Sequence, residues 1–297
     1  MKFNVNQKEL QEALSYCQGV VEKRSTLQIL SNVLLNASDS KLTITATDLD
    51  LIFIHQIENV EILEEGNTTT TSSIMFDIVR KFSSDKKLNL SMNIENKLQL
   101  ESEKSIFNLN CISYSEFPLT EENFNQNEFM INSKHFLKLL NKCKFSVSND
   151  ETRHYLSGIY LHQTEVDDKI YLTAVATDSH RMSISKIRLD EKINFDPIIL
   201  PKKTIFQLCS LLDSYDGDLK ISNLKSKIKF ELTNSILISK LIDGKFPNYI
   251  QVIPKNNQKK LEIDLKIFQS SVDRVASVSL DKKDGVKFNL SKDQLDL

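Results

Sequence analysis

The sequence predicts an α+β fold made of tandem repeated units, each with two helices packed on antiparallel strands. Three observations predict it. Strands Leu42-Thr-Ile-Thr-Ala-Thr47 and Ile170-Tyr-Leu-Thr-Ala-Val-Ala-Thr177 both run into Ala-Thr-Asp, and Thr47 and Thr177 lie 130 residues apart. A short strand followed by an amphipathic helix occurs three times, with Lys8, Lys134 and Lys266 opening the helices at intervals of 126 and 132. A second helix repeats as well, Phe76 and Phe206 again being 130 apart. Self-similarity at a fixed period marks an array of one structural unit.

The elements follow in order. Phe3-Asn-Val5 is a strand, and Leu10, Leu14, Cys17 and Val21 form the inward face of the first helix. Leu42–Thr47 is a strand that ends in a polar corner at Asp48. Helix Ile74–Phe82 and alternating strands such as Lys87–Met92 complete the first unit. In the second unit Phe129-Met-Ile131 leads into a helix with Phe136, Leu139, Leu140 and Cys143 inward. Then come the strand ending at Thr177, a sharp corner, a strand from Met182, and helix Thr204–Leu212. Ser105-Ile106 and Ser235-Ile236 begin equivalent late strands. A third unit opens with strand Leu261-Glu-Ile263 and a helix carrying Phe268, Val272 and Val275. Its segments 285–290 and 294–297 match the first hairpin of the earlier units. Polar segments 119–128 and 254–260 lack apolar periodicity and read as linkers, giving units 1–127, 128–256 and 257–297. Three full units at this spacing need roughly 390 residues, so the third is expected to be incomplete, lacking its second helix and most of its sheet. An open sheet edge of that kind is a liability.

Composition excludes several classes. Six scattered glycines leave no phosphate-cradling loop or dinucleotide fingerprint. The four cysteines, Cys17, Cys111, Cys143 and Cys209, form no CxxC, so neither a zinc site nor a disulfide framework is indicated. No apolar run is long enough to span a membrane, and the N-terminus has no signal-peptide core. A cytoplasmic protein without cofactor is expected. Net charge is −2, so any nucleic-acid binding must come from an uneven distribution of charge.

One such unevenness exists. Lys134, Lys138 and Lys142 recur at four-residue spacing with Lys144 beside them, and no acidic residue occurs from Ser133 through Asn149. The plainer reading is a solvated face. A solvent helix ordinarily mixes Glu with Lys, so the stripe is read as a phosphate contact that positions without reading bases.

Tandem units of two helices plus strands, with basic helices and no catalytic glycines, resemble the bacterial DNA polymerase III beta subunit, the sliding clamp. Six segments carry the resemblance in register across the whole chain: Arg24-Ser-Thr26-Leu27-Gln-Ile29-Leu30-Ser-Asn32, Thr45-Ala-Thr47-Asp48-Leu49, Arg153-His-Tyr155-Leu156-Ser-Gly158, Ala176-Thr177-Asp178-Ser-His180-Arg181, Lys240-Leu-Ile-Asp243-Gly244-Lys-Phe246-Pro247-Asn-Tyr249 and Val252-Ile-Pro254. The resemblance implies a DNA-clamp fold and a head-to-tail ring of two three-domain chains, with helices lining the hole and sheets outside. It implies a non-catalytic processivity factor in DNA replication that encircles double-stranded DNA regardless of sequence. The replicative polymerase, the clamp loader and repair proteins would bind through short linear motifs.

Carried over residue by residue, the family's partner groove falls on Leu156, Thr177, His180, Arg181, Met182, Pro247 and Val252. Its apolar floor would anchor a partner's leucine or phenylalanine. Asp178 is read as structural, bonding its own backbone. Asp48 occupies the equivalent corner without a following His-Arg, so the fold does not need His180 and Arg181, and these are read as functional. Ser179 stands where the family usually has glycine, and Gln251 where arginine is common. The groove's other wall comes, in the family, from a tail beyond residue 297. For DNA the resemblance points to Arg24, Arg153, Tyr155, Lys202 and Lys203, beside the Lys134, Lys138 and Lys142 stripe. For the dimer interface it points to Ile106 and Phe107 in the first domain against Ser277 and Val278 in the third.

Two other readings compete. A metal-dependent phosphoesterase would use Asp178, His180 and Arg181, but no second cluster with metal spacing and no nucleophile elbow accompanies them. A clamp remnant would bind protein or DNA without closing a ring.

Overall fold

The computed structural model describes residues 1–22, 26–119, 124, 127–278 and 285–297, with only the backbone at residue 151. It divides into two compact units, Met1–Phe246 and Pro247–Leu297.

The first unit holds two repeats. In the first, β1 (Lys2–Asn6) turns Phe3 and Val5 inward and leads into α1 (Gln7–Cys17). The Asn6 side chain caps that helix, accepting the Lys8 N–H at 2.9 Å. Leu10, Leu14 and Cys17 are buried on the helix as expected. Val21 is buried too, but it lies past the helix end and is not part of its face. There follow β2 (Asn32–Ser38), β3 (Lys41–Thr47), β4 (Leu51–Ile57), β5 (Glu61–Glu64), β6 (Gly66–Thr71), α2 (Ser72–Val79), β7 (Lys87–Met92), β8 (Lys97–Ser102) and β9 (Ser105–Ile112). The β2–β3 turn puts Asp39 and Ser40 at positive φ, as a two-residue hairpin loop requires.

The second repeat has β10 (Glu128–Asn132), α3 (Ser133–Asn141), β11 (Gly158–Val166), β12 (Lys169–Thr177), β13 (Met182–Leu189), β14 (Ile198–Pro201), α4 (Lys202–Asp213), β15 (Asp218–Asn223), β16 (Lys227–Glu231) and β17 (Ser235–Lys240). Asn132 caps α3 as Asn6 caps α1, and Asp167 and Asp168 make the β11–β12 turn at positive φ.

The strands pair in the order β10-β15-β16-β17-β4-β3-β2-β6-β9-β8-β7-β1-β5, with β13-β12-β11-β14 as a separate sheet. The two repeats are fused where β17 pairs antiparallel with β4, Leu237 opposite Phe53 and Ser235 opposite His55. Phe53 and Leu237 are fully buried, and one apolar core runs from Phe3 to Leu237 through both repeats. Each large side chain so buried contributes about 1.5–3 kcal/mol. Polar contacts stitch the same seam. Lys240 pairs with Asp50 (2.8 Å), Gln207 Nε2 donates to the Tyr16 carbonyl (2.9 Å), and His55 Nδ1 and Ser235 Oγ share a hydrogen bond of 2.7 Å.

The second unit contains α5 (Leu265–Ala276) and the hairpin β18 (Asn289–Ser291) with β19 (Gln294–Asp296). Asp264 caps α5 by accepting the Ile267 N–H at 3.0 Å. Phe268 and Val272 are half-buried, Phe268 packing on Phe288 with centroids 5.8 Å apart, and Val275 is exposed. The strand expected at Leu261–Ile263 is absent: these residues are extended and exposed. β1 and β10 are strands because β7 and β15 pair with them. Among the described residues no strand pairs with 261–263.

Candidate functional site

The corner after β12 and the corner after β3 are built alike. Thr47 Oγ1 accepts the Leu49 N–H, and Thr177 Oγ1 accepts the Ser179 N–H. Asp48 Oδ1 accepts the N–H groups of Asp50 and Leu51, and Asp178 Oδ1 those of His180 and Arg181. Leu49 and Ser179 sit at φ 77° and 75°. This left-handed region costs glycine least, which accounts for the glycine the family prefers at position 179. The Asp178 carboxyl titrates below the usual carboxylate range. Partial burial pushes it up, but the N–H groups of Arg181 and His180 and the Arg181 guanidinium outweigh that.

The corners differ in what their remaining groups do. At the first, Asp48 Oδ2 takes the Lys203 ammonium (2.5 Å) and Asp50 takes Lys240, so both acids hold the seam. At the second, His180 is exposed, and Arg181 Nε donates to Asp178 Oδ2 at 3.0 Å. The Arg181 guanidinium lies 5.5 Å from the ring centre of Phe145, an exposed aromatic that sequence reasoning did not select. Such a pairing is a cation–π contact. Ser179 accepts Arg153 Nη1 at 2.6 Å, while Arg153 Nε donates to Asp150 Oδ2 at 2.8 Å. This ties the 3-10 turn Glu151–Leu156 to the corner. The Thr152 hydroxyl, with Arg153 and the Thr152 N–H, holds Asp150 below the usual carboxylate range. Leu156 is buried, while Thr177 and Met182 are half-buried. Pro247 and Val252 belong to the second unit and are exposed there.

Of the DNA-facing set, Arg24 lies outside the described residues. Lys134, Lys138 and Lys142 are exposed on or just after α3. Lys134 is not free: its ammonium caps α4, donating to the carbonyls of Asp213 (2.8 Å) and Leu212 (3.4 Å). Lys202 donates to Asn149 Oδ1, and Lys203 to Asp48 and the Val20 carbonyl. Tyr155 is half-buried, its Cβ so close to Gly244 that a Cβ there would lie 3.3 Å away. Lys138 and Lys142 have no hydrogen-bond or ion-pair partner among the described residues. Sequence spacing located the stripe, but the lysines spent on the protein itself depend on tertiary partners.

β9 carries the remaining set. Ile106 and Phe107 are exposed, and Phe107 meets Phe82 edge-on at 6.2 Å. Phe82 and Phe107, with Ile74 and Ile78 of α2, border a cavity of about 420 Å³. β6 pairs with β9 only at Cys111 and Ile112, so from Ser105 to Asn110 β9 pairs with β8 alone. The exposed Ile74 escaped sequence reasoning because α2 is apolar on several sides. Ser277 caps the C-terminus of α5, and Val278 is exposed. Among the described residues no three His, Cys, Asp or Glu side chains are grouped to hold a metal, and no helix is long and apolar enough to cross a membrane.

Three models of the DNA polymerase III beta subunit match the chain: the N-terminal domain over residues 1–121, the central domain over 130–248 and the C-terminal domain over 250–297. The beta sliding clamp of Caulobacter vibrioides (strain NA1000) is 33% identical over 299 residues, covering 100% of this chain and 80% of its own length. That of Escherichia coli K12 is 31% identical, covering 99% and 79%. Among solved structures, a sliding clamp from Bartonella birtlesii bound to griselimycin superposes with a TM-score of 0.92 at 34% identity, covering 99% of this chain and 79% of the other.

Proposed function

The chain belongs to the DNA polymerase III beta subunit family, the sliding clamps, and from that premise we propose that it closes head-to-tail with a second copy around duplex DNA. It is a processivity factor for the replicative DNA polymerase. The observation that carries ring closure is the β17–β4 seam. β9 is the counterpart of β17, and β13 is the counterpart of β4, each 130 residues away. Among the described residues β13 is a sheet edge, and β9 is unpaired on one side from Ser105 to Asn110. The joint that fuses the first two repeats therefore has an open half at each end of the first unit. Strand addition of that kind satisfies backbone groups that an edge leaves bare. Ile106 and Phe107 would lie in the joint with the second copy, together with Ser277 and Val278.

In this reading residues 1–127, 128–256 and 257–297 act as three domains in a cytoplasmic, cofactor-free, non-catalytic protein. Lys138 and Lys142, with Arg24, Lys134, Arg153, Tyr155, Lys202 and Lys203, face the phosphates. Polymerase, loader and repair partners dock a short motif on Leu156, Thr177, His180, Arg181, Met182, Pro247 and Val252. A phosphoesterase is disfavoured because the Asp178 carboxylate is consumed by two backbone N–H groups and Arg181. A second reading, a binding module without a ring, is favoured by one observation: α5 has no buried side chain and exposes Leu265 and Ile267.

Sedimentation equilibrium and retention on nicked circular plasmid decide between them. The expected result is a dimer that stays on the circle in high salt and slides off once the plasmid is linearised. A monomer equally indifferent to circular and linear DNA overturns ring closure and leaves the binding module.

A further inference from the structure

Besides the sites above, the second repeat holds a cavity of about 600 Å³ whose lining lies wholly within the first unit. Ile198, Ile199 and Ile242 line it, with Tyr160 and Phe246. At its rim Lys225 and Lys245 are exposed and carry no ion pair among the described residues, and Asp243 is the acidic group among the lining residues. None of the residues assigned to the partner groove lines it.

The cavity has a local cause. In the first repeat the chain after β9 closes with the 3-10 turn Tyr114–Glu116 before the buried Phe117. In the second repeat the link from Ile242 to Phe246 is one residue shorter and runs through Gly244 at φ +144°, a conformation L side chains rarely adopt. Tyr160 stands where the first repeat has the buried Leu34, each opposite the corresponding residue of the next strand, Ile199 and Thr69. Tyr160 is stacked on Phe246 (4.8 Å between centroids, 4° between planes) and on His162 (4.6 Å, 23°).

We propose that this cavity is a second peptide-docking site, taking an apolar side chain of a partner protein flanked by carboxylates. Pockets of this size that bind ligands combine an apolar floor with a few polar groups that fix orientation. The floor here is aliphatic, and the rim carries two cations against one anion, so an acidic flank complements it. Single-stranded nucleic acid fits less well. Base stacking needs an open aromatic face, and both faces of Tyr160 are covered by parallel rings.

The test is methyl NMR of the full chain titrated with the capped tripeptide Glu-Phe-Glu. Saturable shifts are expected at the Ile198, Ile199 and Ile242 methyls. The neutral peptide Gln-Phe-Gln should bind about fivefold more weakly, the size expected of two exposed ion pairs. The doubly substituted Lys225→Glu, Lys245→Glu protein should reverse the preference and favour Lys-Phe-Lys. Both lysines are surface residues, so folding is not at issue. No saturation at those methyls overturns the proposal, as does equal binding of the neutral peptide. Saturation of the same methyls by a thymidine tetranucleotide, with none by Glu-Phe-Glu, overturns it in favour of nucleic acid. The proposal stands or falls independently of ring closure, because the cavity lies within one chain.

Discussion

His55 shows how a single residue sets a condition on the fold. It is in β4, opposite Ser235 of β17, and burial holds its imidazole below its ordinary pKa, the Glu12 carboxylate opposing. The folded protein therefore resists a proton that the unfolded chain accepts near pH ~6.5. Its contribution to stability is complete above that value and falls as pH drops through it towards the folded pKa. Urea midpoints followed by circular dichroism between about pH 7.5 and 5.5 should decline, and His55→Asn should flatten the decline. Fluorescence is a weak probe here because the chain has no tryptophan. Asp150 and Asp178 act at lower pH. Their depressed carboxyls add stability above the ordinary carboxylate range, and it is lost as pH falls through their folded values.

At the scale of elements, the β4–β17 pairing matters most in the first unit, because it turns two repeats into one body. Its apolar centre is Phe53 opposite Leu237, both fully buried. Leu237→Ala should destabilise the first unit by about 2–5 kcal/mol, the range for emptying a packed aliphatic site. A single cooperative urea transition is expected in the parent protein. In the variant the second repeat should unfold at lower denaturant than the first if the seam is what couples them, and hydrogen exchange in β15 and β16 reads that directly. The caps are a second device at this scale. Asn6, Asn132 and Asp264 each sit two residues before the lysine that marks the repeat, so the spacing of the lysines is the spacing of the helix starts.

For the whole molecule, net charge is −2, so attraction to DNA has to be local. The lysines divide by occupation. Lys134 spends its ammonium on the last carbonyls of α4, whereas Lys138 has no such partner among the described residues. Lys138→Ala should therefore leave stability unchanged and reduce the slope of log affinity against log salt by about 0.9, one phosphate contact's worth. Lys134→Ala should in addition lower stability, by about 0.3–1 kcal/mol for a lost charge at a helix C-terminus. Affinity measured at several salt concentrations, with melting curves alongside, separates the two.

The sequence by itself determined the repeat, most of the elements and the corner. A period near 130 residues, alternating apolar positions and Asn or Asp before each marked helix are local patterns, and local sterics and capping enforce them wherever the chain goes. The role of Asp178 as a turn residue was legible for the same reason, since its bonds reach only to residues 180 and 181. What the tertiary structure decided depends on partners far along the chain. A lysine reads alike whether it meets phosphate, Asp48 or the end of α4, and only the packing of α3 on α4 and of one repeat on the next assigned Lys134 and Lys203 to the protein itself. Leu261–Ile263 has the alternation of a strand, but a strand is a paired object, and none of the described strands pairs with it. The cavity beside Tyr160 was illegible for a related reason: a one-residue difference in a loop acquires meaning only when β14, Phe246 and the Lys225 turn are brought around it.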